Sequence, residues 1–309
     1  MSNPARQAAE TSISQVVIAG ATGFLGTALV TELERNGMTV RRLRRHSAGD
    51  ARDIVWHPER DELDPTALED VDAIVNLAGE PIAQRWTSEK KTAIRDSRIQ
   101  ATNLLSKTIC RLQRRPRLFL SGSAIGIYGD RGDEELDEDS SPGRGFLAET
   151  AIAWEGSAEA ATSASTRVLA LRTGVVLNPE GGALARMLLP YKLGLGGRIG
   201  SGKQWMSWIG REDWVRAVLF LLRSSTLRGP VNLVAPGPVP NAGFTKTLAR
   251  VLGRPTLGVV PAFLVDLLFG EMGRETLLGS QRIHPRRLME AGFQFAHPTL
   301  ESALRAELS

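Results

Sequence analysis

Three glycines near the start of the chain have the spacing of a dinucleotide-binding turn. Gly20, Gly23 and Gly26 are spaced GxxGxxG, after the apolar run QVVIA and at the start of a helical pattern. In such a turn the first glycine permits a tight bend, the second lets the backbone approach a pyrophosphate, and the third lets helix and strand pack closely. The N–H groups and dipole at the helix start would stabilise the anion. A turn that binds nothing is the alternative. The predicted cofactor-binding residues here are Gly20, Thr22, Gly23, Phe24, Leu25 and Gly26.

Arginines follow at the end of the second predicted strand, where NAD-binding chains place an acid for the ribose 2′-hydroxyl. Arg44 and Arg45 lie there, and no acid precedes Asp50 in this stretch. An acid would repel a 2′-phosphate, whereas guanidinium groups bind one. We therefore predict NADP rather than NAD, with Arg45 as the first choice and Arg44 beside it. A solvated strand end is the alternative.

Two further strand ends carry residues that suit a cofactor and its chemistry. Leu77, Ala78 and Gly79 end the fourth predicted strand, and small residues there would let the chain pass close to the adenosine and ribose. The exit of the fifth strand contains Ser123 and Tyr128. Ligands of open α/β sheets lie at this carboxyl edge. A serine hydroxyl or a tyrosine phenol there could orient a carbonyl or donate a proton.

The elements that must position these residues alternate between short apolar strands and helices as far as about residue 174. This order predicts an α/β fold, a Rossmann-like doubly wound parallel sheet with right-handed crossovers. The sequence after about residue 174 is Gly-rich, and we interpret it as a smaller C-terminal α/β substrate domain. The predicted organisation is a flexible tail at 1–12, an NADP-binding domain at 13–176, and a substrate domain at 177–207 and 236–309. Elements near 208–235 are predicted to return to the first domain.

Composition limits the classes of protein that remain. The 309 residues contain no apolar stretch long enough to span a membrane, and the polar N-terminus does not resemble a secretory signal. The single cysteine, Cys110, allows no internal disulfide, and no Cys/His cluster offers a zinc site. We expect a soluble, cytoplasmic protein without a metal. The net charge of +4 and two Arg-dense stretches permit nucleic-acid binding. That hypothesis ranks third because neither stretch has interleaved aromatic residues.

With these residues described, the chain resembles the extended short-chain dehydrogenase/reductases and, within them, an atypical YfcH-like epimerase family. The likeness runs over residues 15–306. The segments that carry it are GATGFLG at 20–26, NLAGEPI at 76–82, RW at 85–86, SRIQAT at 97–102, SAIGIYG at 123–129, WE at 154–155, LRTGVVL at 171–177, GSGKQWMSWI at 200–209, NLVAP at 232–236 and GE at 270–271. The resemblance implies a Rossmann-like domain, a small C-terminal domain and NADPH as the cofactor.

The resemblance also implies roles for individual residues. Ser123 matches the superfamily serine that hydrogen-bonds a substrate carbonyl, and Tyr128 is the nearby phenol that could donate a proton or have only a structural role. Lys203, Gln204 and Trp205 are expected to line the substrate cleft, with core packing as the alternative for the tryptophan.

One departure from the superfamily affects the mechanism. The usual Tyr-x-x-x-Lys motif is absent from the whole sequence, because Gly132 follows Tyr128 by four residues and Leu195 follows Tyr191 by four. Glu149 and Glu155 are fallback acids, although a solvated or helix-face role is the favoured interpretation of both.

Two functional hypotheses follow. The first is an NADP(H)-dependent epimerase or oxidoreductase that acts on a small, unidentified carbonyl or sugar-like substrate. The second is a non-enzymatic NADPH-responsive regulatory or interaction protein, which the missing Tyr/Lys pair suggests. By analogy with the superfamily, the helices after the fourth and fifth strands could form a homodimer.

Overall fold

The computed structural model describes residues 13–46, 49–163, 166–256 and 258–309. The predicted flexible tail, residues 1–12, lies outside the described residues. The strands are β1 (Gln15–Ala19), β2 (Thr39–Arg44), β3 (Asp53–His57), β4 (Glu62–Leu63), β5 (Ala73–Asn76), β6 (Leu118–Ala124), β7 (Glu135–Leu136), β8 (Arg167–Thr173), β9 (Val175–Leu177), β10 (Gly197–Ile199), β11 (Trp205–Met206), β12 (Trp208–Gly210), β13 (Gly229–Leu233), β14 (Val239–Pro240), β15 (Gly258–Val260) and β16 (Arg282–Ile283).

The helices connect these strands. They are α1 (Phe24–Arg35), α2 (Ser88–Arg111), α3 (Phe146–Gly156), α4 (Glu159–Ser163), α5 (Gly182–Lys192), α6 (Arg211–Arg223), α7 (Asn241–Leu252), α8 (Ala262–Phe269), α9 (Glu271–Gly273), α10 (Arg286–Glu290) and α11 (Leu300–Leu308). A π-helical turn, Arg274–Leu278, continues α9.

The main sheet has eight strands in the order β13-β8-β6-β5-β1-β2-β3-β4. All its pairings are parallel except that of β4 with β3. The order reverses between β1 and β5, which places the carboxyl ends of these two strands at the switch point where such sheets bind ligands. The predicted Rossmann-like parallel sheet is therefore confirmed.

Both faces of the sheet are buried, which explains why its strands are continuous apolar runs. Val16 and Ile18 belong to the core beneath α1 and α6, whereas Val17 belongs to the core beneath α2. This alternation follows from the two-residue period of a strand. The two cores fix the ends of β1, β5 and β6 relative to one another, and these ends carry the predicted site.

The C-terminal elements form a third core that packs over this edge. Trp208, Phe244 and Leu304 are buried together in it, with side chains of α5, α7 and α11. The chain returns to the main sheet afterwards, because α6 contributes to the first core and β13 pairs with β8. The domain boundaries remain a prediction. No helix in the described part of the chain has both the length and the apolar character needed to cross a membrane.

Candidate functional site

The glycine turn is built as its spacing predicts. Gly20 has φ +79°, and a Cβ there would lie 2.8 Å from the carbonyl carbon of Leu77. A Cβ on Gly26 would lie 2.1 Å from the Gly20 carbonyl oxygen, so only glycine lets the helix start so close to the turn. Gly23 is the N-cap of α1, with no side-chain cap and no acid in the first turn. The first N–H groups of α1 are therefore available to an anion.

The turn adjoins the exit of β5. Leu77 donates its backbone N–H to Ala19 O at 2.9 Å, and Ala78 donates its own to Asn76 Oδ1 at 3.1 Å. Gly79 is exposed, as are Thr22 and Gly23 across the turn. Phe24 instead turns its ring towards Gly181, where a Cβ would lie 2.5 Å from the ring. The structure thus brings the two predicted cofactor-binding segments together.

Arg44 and Arg45 lie at the end of β2, and the structure adds a neighbour that the sequence reasoning did not include. The fully buried carboxylate of Asp53 on β3 lies 3.0 Å from Nε of Arg42 and 3.6 Å from Nη1 of Arg44. Arg44 keeps 31% of its side chain exposed, and Arg45 is exposed beyond the strand. Asp53 comes from the adjacent parallel strand, so counting residues along β2 could not have placed it here.

Ser123 forms part of a charged network behind the end of β6. Its Oγ donates a hydrogen bond of 2.6 Å to Oε1 of Glu155 on α3. Arg172 on β8 holds the same carboxylate through two bonds, Nε to Oε1 at 2.8 Å and Nη2 to Oε2 at 2.9 Å. Ser123 is 5% exposed, and the side chain of Glu155 is 19% exposed. The fallback acid Glu155 is thus a partner of the predicted serine, although its helix position alone favoured a surface role.

Tyr128 is fully buried, and its hydroxyl has two partners. It donates to Oδ1 of Asn232 at 2.8 Å and accepts from Nη1 of Arg172 at 2.8 Å. Burial raises the pKa of Tyr128, although Arg172 opposes this. A proton donor must reach the substrate, so this buried position favours the structural alternative for Tyr128 over the role of proton donor.

The three residues expected to line the substrate cleft have different environments. Lys203 is exposed, whereas Gln204 is buried and donates its amide to the carbonyls of Ile199 and Leu277, both at 3.1 Å. The side chain of Gln204 thus joins two backbone segments, and its role in the substrate cleft stays a prediction. Trp205 lines a small cavity of about 40 Å³ with largely apolar walls. Its indole N–H donates to Asp133 at 2.8 Å.

A larger cleft of about 420 Å³ opens at the N-terminus of α3. Glu275 accepts the backbone N–H groups of Phe146 and Leu147, both at 2.9 Å, and so caps α3 from the C-terminal segment. Lys91 on α2 contacts Glu271 at 2.8 Å. The GE pair at 270–271, one of the segments that carry the family resemblance, includes Glu271. Nothing in the sequence indicated a role for Glu275.

The fold and the glycine turn define a class: a Rossmann-like nucleotide-binding protein with a C-terminal unit over its ligand edge. The chain belongs to the NAD dependent epimerase/dehydratase family, whose family model matches residues 16–233. A second family model, a domain of unknown function (DUF1731), matches residues 260–307.

Curated relatives cover nearly all of the chain. An epimerase family protein of Mycobacterium bovis is 45% identical over 94% of this chain and 96% of the relative. The human epimerase family protein SDR39U1 is 37% identical over 94% of this chain and 98% of the relative.

Solved structures agree with these relatives. Human SDR39U1 (isoform 2), solved with NADPH, aligns with a TM-score of 0.88 and 34% identity over 95% of this chain and 98% of that one. A nucleoside-diphosphate sugar epimerase of Corynebacterium glutamicum aligns with a TM-score of 0.80 and 32% identity over 98% of this chain and 60% of that one.

Proposed function

We propose that the protein is an NADP(H)-dependent oxidoreductase or epimerase that acts on a small carbonyl or sugar-like substrate, within the YfcH-like branch of its family. The observation that carries the proposal is the uncapped N-terminus of α1 inside a turn that only glycines can form. The NADPH bound by its human relative supports the choice of cofactor.

The residues present fit a dinucleotide phosphate. The N–H groups that follow Gly23 would hold the diphosphate. Gly23 has no side chain that could occupy the space of the diphosphate. Leu77, Ala78 and Gly79 would lie along the ribose. The guanidinium groups of Arg44 and Arg45 would bind the 2′-phosphate by charge-assisted hydrogen bonds, with Asp53 restraining Arg44. When bound, NADPH would supply a hydride, and its oxidised form NADP⁺ would accept one.

Ser123 and Glu155 offer a proton route in place of the missing Tyr/Lys pair. The Ser123 hydroxyl already donates to Glu155, so its oxygen is free to accept a hydrogen bond from a substrate alcohol. As that alcohol is oxidised, its O–H proton would pass to Ser123 Oγ while the serine proton passes to Glu155. The reverse transfer would protonate the product of carbonyl reduction. Arg172 positions the Glu155 carboxylate.

The test is turnover of a panel of carbonyl compounds by NADPH-loaded protein and of nucleotide sugars by NADP⁺-loaded protein, followed by NADPH absorbance and by product analysis for epimers. A Gly23→Val variant provides the control, because a branched side chain should exclude the diphosphate. Cofactor-loaded protein that turns over no member of the panel would contradict the enzymatic proposal.

A non-enzymatic NADPH-responsive protein is the second candidate, favoured by the buried position of Tyr128. Here NADPH would order the C-terminal segments over the sheet edge and change a partner surface. Partner recovery from a lysate with and without NADPH separates the two, since equal recovery rejects this alternative. A homodimer is also proposed, and light scattering of the purified protein tests it.

A further inference from the structure

Large apolar side chains lie exposed at two places in the C-terminal unit. Leu189 belongs to α5, and Leu193 and Leu195 belong to the turn that follows it. Phe263 and Leu267 lie one helical turn apart on α8. The exposed fractions of these five side chains lie between 64% and 71%. Single exposed apolar side chains are ordinary, but a contiguous group of them marks an interaction surface.

A small two-stranded sheet brings the two groups together. Strands β10 and β15 pair in parallel, and Val259 on β15 is exposed as well. A Cβ on Gly258 would lie 3.8 Å from the carbonyl oxygen of Leu195, in the turn after α5. A Cβ on Gly200, just after β10, would lie 3.7 Å from Cβ of Ala262, the first residue of α8. Both groups therefore flank one sheet, and we call the exposed side chains around it the apolar face: Leu189, Leu193, Leu195, Val259, Phe263 and Leu267.

The segments that carry the apolar face are basic throughout. Residues 181–207 and 236–265 contain seven lysines and arginines and no aspartate or glutamate. Asp266, the next acid along the chain, forms an ion pair with Arg274. All seven cations are exposed, so they give this part of the surface a positive charge: Arg186, Lys192, Arg198, Lys203, Lys246, Arg250 and Arg254.

Three of these cations border the apolar face directly. Arg198 lies opposite Val259 in the pairing of β10 with β15, and it donates to the backbone carbonyl of Ser201 at 2.6 Å. Lys192 is the last residue of α5, and Arg254 lies four residues before β15. Across the described part of the chain, none of the three forms an ion pair. Their charges are therefore available to an anionic partner.

Apolar side chains bordered by unpaired cations fit a membrane that contains anionic lipids. The apolar side chains would enter the boundary between headgroups and acyl chains, and the cations would attract the lipid phosphates. A second copy of the chain fits this surface less well, because a twofold interface would set the same cations against one another. A nucleic acid would pair with the cations but leave the apolar side chains in water.

We propose that the apolar face docks the protein on anionic membranes, with α8 and the turn after α5 lying on the lipid surface. The inference goes beyond the proposed function and does not depend on it, because no side chain of the apolar face has a part in the cofactor or proton scheme above. Docking would also bring the cleft of about 420 Å³ close to the membrane, since Glu271, which lines that cleft, follows α8 after one residue.

Flotation of the purified chain with lipid vesicles tests the proposal. Vesicles of equal parts phosphatidylcholine and phosphatidylglycerol are compared with vesicles of phosphatidylcholine alone, at low and at high salt. One variant, Leu193→Ser/Leu267→Ser, removes two side chains of the apolar face. Another variant, Lys192→Gln/Arg254→Gln, removes two of the charges that border it.

Two matched controls change side chains of the same kinds elsewhere. Met289→Ser removes an exposed apolar side chain from α10, and Lys107→Gln removes an exposed charge from α2. All substituted side chains are exposed, so each variant should fold, and its melting temperature is measured to verify this.

We expect the wild-type protein to float with the anionic vesicles, and more weakly with neutral vesicles or at high salt, which screens the cations. Leu193→Ser/Leu267→Ser should weaken the binding by about tenfold or more, since two apolar side chains no longer leave water. Lys192→Gln/Arg254→Gln should weaken it by about fivefold for each charge. Both controls should match wild type.

No flotation of the wild-type protein, or equal binding by wild type and Leu193→Ser/Leu267→Ser, would overturn the inference. An equal loss of binding in the two controls would do the same. Light scattering without lipid and gel shifts with double-stranded DNA test the other two occupants. Self-association that Leu193→Ser/Leu267→Ser abolishes, or DNA binding tighter than vesicle binding, would also contradict the inference. None of these measurements involves NADPH, so their failure is distinguishable from failure of the proposed function.

Discussion

Tyr128 is close to Ser123 along the chain, yet its side chain belongs to the interior of the molecule. The sequence places a phenol five residues after Ser123, and proximity along the chain suggests a shared site. The structure turns the phenol inwards, because the short helical turn Ile125–Tyr128 follows β6 and directs the side chain towards Arg172 and Asn232. Those two partners come from strands far along the chain, so no local pattern could have predicted them.

Tyr128→Phe tests the structural role. We expect a loss of about 1–3 kcal/mol in the free energy of unfolding, because Asn232 Oδ1 loses a buried donor. NADPH affinity should be unchanged. Denaturant unfolding and calorimetric titration measure the two quantities. A large fall in turnover with normal stability would instead restore Tyr128 as the proton donor.

Glu155→Gln tests the proton route. We expect turnover to fall by about 10²-fold or more, as for loss of a general acid or base, while NADPH affinity stays close to that of wild type. Ser123→Ala should cost a similar factor, and the double variant should be hardly slower than either single variant, because the two residues act as one unit. Additive losses in the double variant would contradict a shared route.

At the scale of the elements, the carboxylate of Asp72 connects two strands at their beginnings. It also shows which features of a sheet the sequence predicts and which it does not. Strand β5 corresponds to the fourth predicted strand, an apolar run, but Asp72 had no predicted role. Its Oδ2 accepts the backbone N–H groups of Ser14 and Gln15 at 2.8 and 2.9 Å, and its Oδ1 accepts from Arg117 at 2.7 Å. It thus joins the beginnings of β1 and β5 to the chain before β6. The periodicity of the sequence predicts the strands. The hydrogen bonds of Asp72 depend on the register between strands, which periodicity does not show.

Asp72→Asn should have a lower free energy of unfolding than the wild-type protein, and the difference should depend on pH. Burial alone would raise the pKa of Asp72, but the hydrogen bonds from Gln15, Arg117 and Ser14 outweigh it and lower the pKa to about 2. The stabilisation is therefore present above the unfolded-state value near 3.9 and is lost as the pH falls towards 2. We expect the wild-type protein to exceed the variant by on the order of 2 kcal/mol at pH 6 and by progressively less below pH 4.

Urea unfolding from pH 3 to pH 7 measures that difference. Asp70→Asn provides a control, since Asp70 is an exposed acid whose ion pair with Arg114 lies on the surface. A constant gap between wild type and Asp72→Asn across the whole pH range would mean that the ionised carboxylate is not what stabilises the strand ends.

At the scale of the whole molecule, ion pairs and charged hydrogen bonds connect the C-terminal segment after α8 to the nucleotide-binding part of the chain. Glu275 caps α3 and Glu271 pairs with Lys91, while Arg286 and Arg287 bind Asp139 on the acidic loop after β7. These contacts join segments more than 100 residues apart, so no local pattern in the sequence predicts them.

Glu275→Gln should loosen this contact without affecting the sheet. A neutral amide compensates the helix dipole and the two backbone donors of α3 less well than a carboxylate. We expect faster hydrogen exchange in the first turn of α3 and in the segment 270–279, with unchanged exchange in β1, β5 and β6. Glu290→Gln, an exposed acid on α10, serves as the control. Equal protection in wild type and Glu275→Gln would show that the cap does not hold the segment in place.

We propose that this molecule binds a nicotinamide dinucleotide at the α1 turn and selects the phosphorylated form through Arg44 and Arg45. Calorimetric titration of the folded protein with NADPH and with NADH, repeated on Arg44→Ala/Arg45→Ala, is the decisive measurement. We predict saturable binding with NADPH tighter than NADH, and a preference that disappears in the double variant while NADH binding persists. No saturation with either nucleotide, or an equal loss of both in the variant, would refute this proposal.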